Sequence, residues 1–141
     1  MSFCLIILAG GNSHRFRSKI GKPYQKIAGK SLIEINIAKA RKFKQIKKII
    51  LVYNKKDLKR VKSLKLKNVK MIVGGKTRQQ STFNALKHLN SQKGTSKVLV
   101  HDVARPNFSE KLMSSIMRNM LNARAVVPKI EIQDAIKQII D

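Results

Sequence analysis

Phe3-Cys4-Leu5-Ile6-Ile7-Leu8-Ala9-Gly10-Gly11 is an unbroken apolar run that ends on two glycines. A run of this length bounded by glycine reads as a strand covered on both faces, as the strands of parallel sheets are. It lacks a basic leader and is far shorter than the roughly 20 apolar residues that span a bilayer. A core strand over 3–8 in a cytoplasmic protein without a membrane segment is therefore expected. Cys4 is the one cysteine of the chain; with no internal disulfide partner, and inside an apolar run, it reads as a small buried hydrophobe rather than a nucleophile.

Working outward, further apolar stretches at 48–53, 69–73, 97–101 and 123–127 repeat the strand signal, and segments of helical period separate them. This alternation predicts an α/β domain with a mainly parallel sheet flanked by helices. The first helix has the clearest start, because Ser31-Leu32-Ile33-Glu34 is a capping box and Ile33, Ile37 and Ala40 then share a face. A second helix, 57–65, spaces Leu58, Val61 and Leu64. A third, 79–90, aligns Thr82, Ala85, Leu86 and Leu89. A fourth, after Ser109, aligns Met113, Ile116, Met117 and Met120, methionines expected as core filler.

The 141 residues, 43% of them hydrophobic, suffice for one domain over 1–141 with its own core. No repeat, low-complexity tract or linker interrupts them. The segment 128–141 carries Ile130, Ile132, Ile136, Ile139 and Ile140 with no later element to cover them, so the domain is expected to be truncated at its C-terminal end or completed by a partner.

Charge is lopsided: 31 basic and 7 acidic residues give +24, which favours polyanions from nucleotides to nucleic acids. Fourteen of the basic residues lie between Lys39 and Lys70. Phe43 and Tyr53, the aromatics there, fall at apolar-pattern positions, so base-stacking platforms for single strands are missing. The segment reads as a lysine-rich solvated face, and nucleic acid is not the expected partner.

In an open parallel sheet, ligands bind beyond the carboxyl ends of the strands. Three loops there are chemically loaded. After the first strand, Ala9-Gly10-Gly11 removes side chains where backbone N–H groups must approach phosphate, with Arg15 and Lys22 as nearby cations. After the third, Gly74-Gly75-Lys76-Thr77-Arg78-Gln79-Gln80-Ser81 opens a helix whose amides and hydroxyl can meet a base or phosphate, or is a glycine turn with a helix-start serine. After the fourth, His101-Asp102-Val103-Ala104-Arg105-Pro106 offers a carboxylate that could hold Mg²⁺ beside a triphosphate, or could simply pair with Arg105.

Other chemistries fail on spacing. Gly29-Lys30-Ser31 has Tyr24 where a P-loop needs glycine, and the residues after Gly11 do not complete a dinucleotide fingerprint. His14 and His88 have no ligand-spaced partner, and His101 and Asp102, adjacent in a strand, point to opposite faces, so no zinc site is expected. No serine elbow or Cys–His pair suggests covalent catalysis.

Taken together, Ala9-Gly10-Gly11 with Arg15 and Lys22, Gly74-Gly75-x-x-Arg78-x-x-Ser81, and Val100-His101-Asp102-x-Ala104-Arg105-Pro106 resemble the 2-C-methyl-D-erythritol 4-phosphate cytidylyltransferases of the non-mevalonate isoprenoid pathway. The resemblance implies a Rossmann-like nucleotidyltransferase fold, with Ala9, Gly10 and Gly11 cradling CTP and Gly75 and Ser81 contacting cytosine. It makes Arg15 and Lys22 the catalytic cations and puts Asp102 and Arg105 beside the nucleotide, the second substrate or the metal, with Asp102 as a ligand of the Mg²⁺ cofactor. The partners it implies are CTP, methylerythritol phosphate and, in the full-length protein, a second subunit of a homodimer. Lys22-Pro23-Tyr24-Gln25 departs from the family's usual Pro-Lys-Gln order, which keeps open a related transferase acting on another polyol or sugar phosphate, such as ribitol phosphate. Asp134-Ala135-Ile136-Lys137 resembles an Asp-Thr-x-Lys segment with the threonine replaced. Family members continue past this point, so a fragment of a longer protein, fused to another pathway enzyme, is expected. A basic nucleic-acid-binding module is the non-enzyme alternative.

Overall fold

Strand β1 (Phe3–Ala9) extends one residue beyond the expected 3–8, and all seven of its residues are buried. In a computed structural model describing residues 2–11, 20–92 and 97–131, it is flanked on both sides. The remaining elements are β2 (Lys26–Ile27), β3 (Lys30–Ser31), α1 (Leu32–Ala40), β4 (Ile46–Tyr53), α2 (Leu58–Ser63), β5 (Lys70–Val73), α3 (Arg78–Asn90), β6 (Lys97–Asp102) and α4 (Glu110–Asn119). The main sheet runs β5-β4-β1-β6, with every pairing parallel.

The chain divides into two compact units, Met1–Asn107 and Phe108–Asp141. In the first, one face of β1, Cys4, Ile6 and Leu8, joins Ile50, Val52, Ala85 and Leu89 in a buried cluster. Side-chain alternation sends Leu5 and Ile7, both fully buried, to the opposite face. Each such Leu or Ile contributes about 1.5–3 kcal/mol by leaving water. Cys4 is fully buried, and burial pushes its thiol up to about 11, so it stays protonated and inert at neutral pH.

Local signals explain the helix starts. Ser31 Oγ accepts from the Glu34 N–H while Glu34 Oε2 accepts from the Ser31 N–H at 2.8 Å, which is the reciprocal cap expected from the sequence. The Ser31 hydroxyl, which donates to Glu34 Oε2 at 2.7 Å, and then the Ser31 N–H hold the Glu34 carboxyl below its usual range. The two-residue β2–β3 hairpin turns through Ala28 and Gly29, both with positive φ, and delivers Ser31 to that cap. Ser31 is therefore engaged in starting α1.

Two expectations shift. α3 buries Ser81, Ala85 and Leu89, whereas Leu86 is exposed; its inward stripe runs at i, i+4 and i+8. No strand forms at 123–127: the described chain after α4 is irregular, and Val127 and Ile130 are 83% and 92% exposed. Apolar composition supplies a strand's side chains but not its neighbour, and without a ladder the backbone has no reason to extend. In its own unit α4 starts at the Ser109 cap and buries Met113, Met117 and Met120. Residues 132–141, including the Asp134–Lys137 segment, lie outside the described residues. No described helix is long and apolar enough to cross a membrane.

Candidate active site at the carboxyl edge of the sheet

The chain leaves β1 for β4 on one side and returns to β6 on the other, so the gap beyond the carboxyl ends of β1 and β6 is a topological switch point. The three loaded loops meet around it. Ala9 pairs with Tyr53 and Leu8 with Asp102, and the Val103 N–H donates to Leu8 O at 3.1 Å. Ala9 is 1% exposed, so it can offer a ligand only backbone. A Cβ on Gly10 would lie 3.6 Å from Ser81 Oγ and 3.8 Å from Gly74 Cα; the first and second glycine turns pass each other closely. A Cβ on Gly11 would meet nothing of the described protein within 4 Å, which leaves room for a ligand.

Thr77, not Ser81, caps α3 by accepting from the Gln80 N–H. Ser81 instead lies a turn inside the helix, 5% exposed, with its Oγ accepting from the Gly75 N–H at 3.1 Å. The hydroxyl thus sits at the floor of the glycine turn, still able to donate. Gly74 and Gly75 permit this approach. A Cβ on Gly74 would stand 2.9 Å from Ser81 Oγ, and one on Gly75 only 2.5 Å from Gln80 Cβ, which no rotamer change relieves. Gly75→Ala should lower stability by about 1–3 kcal/mol as the turn shifts, seen as a lower urea midpoint at unchanged m-value.

Arg78, a motif position to which the sequence assigns no role, proves central. Its Nε lies 3.1 Å from Asp102 Oδ1, tying the second loop to the third, while Arg105 Nε stands 3.8 Å from Asp102 Oδ2. Asp102 therefore pairs with Arg105, as the simpler alternative required, and more closely with Arg78. The sequence motifs do not include Asn54, whose Nδ2 donates to Gly10 O at 3.2 Å while its Oδ1 accepts from the Lys56 N–H. A polar cap residue directly after a strand was the available signal.

Lys22 is exposed on a short 3-10 turn, Lys22–Tyr24, in which Pro23 and Tyr24 are buried. Gln25 Nε2 closes the turn onto Ile20 O at 2.8 Å. Burial pushes the Tyr24 phenol well up, with the Asp57 carboxylate adding to the effect; Asp57 follows β4, so the turn belongs to the same edge of the sheet. Arg15 lies outside the described residues.

The sequence model of the family described as "2-C-methyl-D-erythritol 4-phosphate cytidylyltransferase" matches residues 3–141. The chain belongs to that family. It is 45% identical over 138 residues to the "Bifunctional enzyme IspD/IspF" of Pelagibacter ubique, covering 98% of this chain and 37% of the relative. It is 32% identical to the "Bifunctional ribulose 5-phosphate reductase/CDP-ribitol pyrophosphorylase" of Haemophilus influenzae, covering 93% and 29%. The solved 4-diphosphocytidyl-2C-methyl-D-erythritol synthase of Anaerococcus prevotii superposes with a TM-score of 0.82 at 31% identity, covering 99% of this chain and 60% of that one. The chain thus spans between 29% and 60% of the length of these relatives.

In this cytidylyltransferase-family domain the donor set also bears on a metal. Among the described residues no group of three or more His, Cys, Asp or Glu side chains gathers, so an all-protein cage is absent. Asp102 is partly exposed with its two oxygens facing Arg78 and Arg105; Mg²⁺, which keeps several waters and takes one or two carboxylates plus substrate phosphates, would share that carboxylate with the arginines.

His101 and Asp102 occupy opposite faces, as expected. Burial holds the His101 pKa below its ordinary 6.5; the Arg105 carbonyl and the Asp102 charge oppose the shift, and the Arg105 and Lys39 charges reinforce it. A base whose folded pKa is depressed binds its proton more readily when unfolded. Its contribution to stability is complete above pH 6.5 and is lost as pH falls through the folded value. Urea midpoints should therefore drop over that interval in the natural protein, and His101→Gln should remove this part of the slope.

Proposed function

We propose that the domain transfers CMP from CTP to 2-C-methyl-D-erythritol 4-phosphate, giving 4-diphosphocytidyl-2-C-methyl-D-erythritol and pyrophosphate. The observation that supports this best is the meeting of three loops at the switch point: two glycine turns in contact and an Arg78–Asp102 bridge across them. The backbone N–H groups of half-buried Gly10 and exposed Gly11 are the kind that suit triphosphate oxygens, and the Ser81 hydroxyl beneath Gly75 suits the polar edge of cytosine.

A phosphate oxygen of the acceptor attacks the α-phosphorus of CTP in line, the bond to the bridging oxygen breaks, and pyrophosphate departs with the electron pair. The chain's residues have no covalent step to perform. Lys22 and Arg15 offset the charge that accumulates on the transferring phosphoryl group, Arg78 holds Asp102, and Arg105 lies within reach of an anionic substrate. Mg²⁺ held by Asp102 and phosphate oxygens would supply further charge neutralisation. A cytoplasmic location, and a homodimer in the full-length protein, are carried by the family resemblance.

The relative named as a CDP-ribitol pyrophosphorylase favours one second reading, a ribitol phosphate acceptor. Pyrophosphate release from each nucleoside triphosphate with either acceptor, by this chain and by a version lengthened to match its relatives, separates the two. CTP with methylerythritol phosphate should react fastest. A strong preference for ribitol phosphate or another nucleotide overturns the assignment. Tight binding to duplex or single strands at about 150 mM salt without saturable CTP binding would favour a nucleic-acid module.

A further inference from the structure

Asn36 takes no part in the proposed chemistry, yet it is a fully buried polar side chain in the middle of α1. Its Nδ2 donates to Leu32 O at 2.7 Å, within the helix, and to Val103 O at 2.9 Å, in the loop after β6. Two carbonyls can only accept, so they fix the orientation of the amide and turn Oδ1 toward His101, whose Nε2 lies 2.9 Å away. The ring nitrogen must then be the donor. The same N–H reaches Arg105 O at 3.0 Å. This sets His101 as the tautomer protonated on Nε2. One turn further along α1, Lys39 Nζ donates to Pro106 O at 2.7 Å. The carbonyls of Val103, Arg105 and Pro106 are thus all held by α1 or by the ring that α1 orients.

The sheet register gives this clamp its direction. His101 pairs with Ile7 and Asp102 with Leu8, so His101 faces α1 while Asp102 faces α3 and Arg78. The loop's carbonyls are held on one side while Asp102 projects to the other.

We propose that Asn36 is a positioning residue for CMP transfer, fixing the His101 tautomer and the Val103–Pro106 backbone so that Asp102 and Arg105 are in register with the substrates before they bind. This rests on the nucleotidyl-transfer reading above. Misplacing such a group by about 1 Å costs on the order of 100-fold in rate, whereas three net hydrogen bonds to uncharged groups matter chiefly to stability.

The test compares Asn36→Leu, His101→Leu and His101→Gln in the full-length protein. A glutamine Nε2 can replace the ring donor. Asn36→Leu and His101→Leu should each lower kcat by about tenfold or more with the KM for CTP within about threefold, and His101→Gln should recover most of the loss. The double Leu variant should be little worse than either single one. Unchanged kcat in Asn36→Leu with only a lower Tm, or His101→Gln as impaired as His101→Leu, overturns the proposal. If Asn36→Leu fails to fold, the His101 pair decides. Imidazole ¹⁵N–¹H spectra give a readout independent of turnover: the natural protein should show His101 protonated on Nε2, and a ring protonated on Nδ1 alone refutes the clamp. A natural protein with this tautomer but no CMP transfer would sink the functional reading while leaving the clamp in place.

Discussion

Replacing Lys22 by alanine should lower kcat for CMP transfer by about 100- to 1,000-fold while changing the KM for CTP by no more than about threefold. The size of the effect follows from where charge develops. In the ground state the triphosphate already carries its negative charge; in the transition state that charge redistributes over the transferring phosphoryl group, and a fixed cation beside it is worth most there. The turn favours a clean experiment. Pro23 and Tyr24 anchor it in the core, and Lys22 itself is exposed, so truncation removes a surface charge while the buried anchors of the turn stay in place. Lys22→Arg should recover only part of the rate, because a planar fork cannot occupy the place of a compact ammonium. Arg15→Ala should behave like Lys22→Ala. A variant whose KM for CTP rises in proportion while kcat holds would make Lys22 a binding residue and defeat the catalytic assignment.

The second large effect concerns Asp102. Asp102→Asn should reduce kcat/KM by about 100-fold and raise the Mg²⁺ concentration needed for half-maximal rate. Stability should change little. Its ion pairs to Arg78 and Arg105 involve arginine side chains that are 62% and 80% exposed, and pairs this wet contribute about 0–1 kcal/mol. A competing possibility is that Asp102 merely restrains Arg78. Combining Asp102→Asn with Arg78→Gln discriminates between them: if activity returns in the double variant, the carboxylate served only to neutralise the arginine, and its place at the metal is lost. An unchanged Mg²⁺ titration in the single variant likewise removes Asp102 from the metal.

Much of this was legible in the residues because it depends on short-range chemistry. Phe3 to Leu8 could be recognised as a strand covered on both faces from apolar continuity, and the Ser31–Glu34 cap from spacing alone. The glycine turns were visible because glycine marks close backbone approach. What escaped depends on the third dimension. That Arg78, rather than Arg105, is the nearer partner of Asp102 follows from the first residue of α3 reaching across to the end of β6, at a sequence separation of 24 residues. Ser81 could be read either as a ligand-facing hydroxyl or as a helix-start serine; Thr77 takes the cap, and Ser81 turns inward to Gly75. Asn36 is an ordinary helix residue until a carbonyl 67 positions away appears beside it. The apolar stretch at 123–127 misled for the complementary reason: strand-like side chains do not reveal whether a pairing edge is available.

The all-parallel register also governs how the domain comes into being. β1 is the most hydrophobic element of the fold, yet one of its two ladders is with β6, whose first paired residue, Lys97, lies about 94 residues beyond Phe3. At about 5–20 residues per second, a ribosome takes roughly 5 to 19 s to supply that partner. Until then the edge of β1 that β6 will cover has no partner strand, so the parallel register leaves an apolar strand waiting on a distant segment for its second ladder.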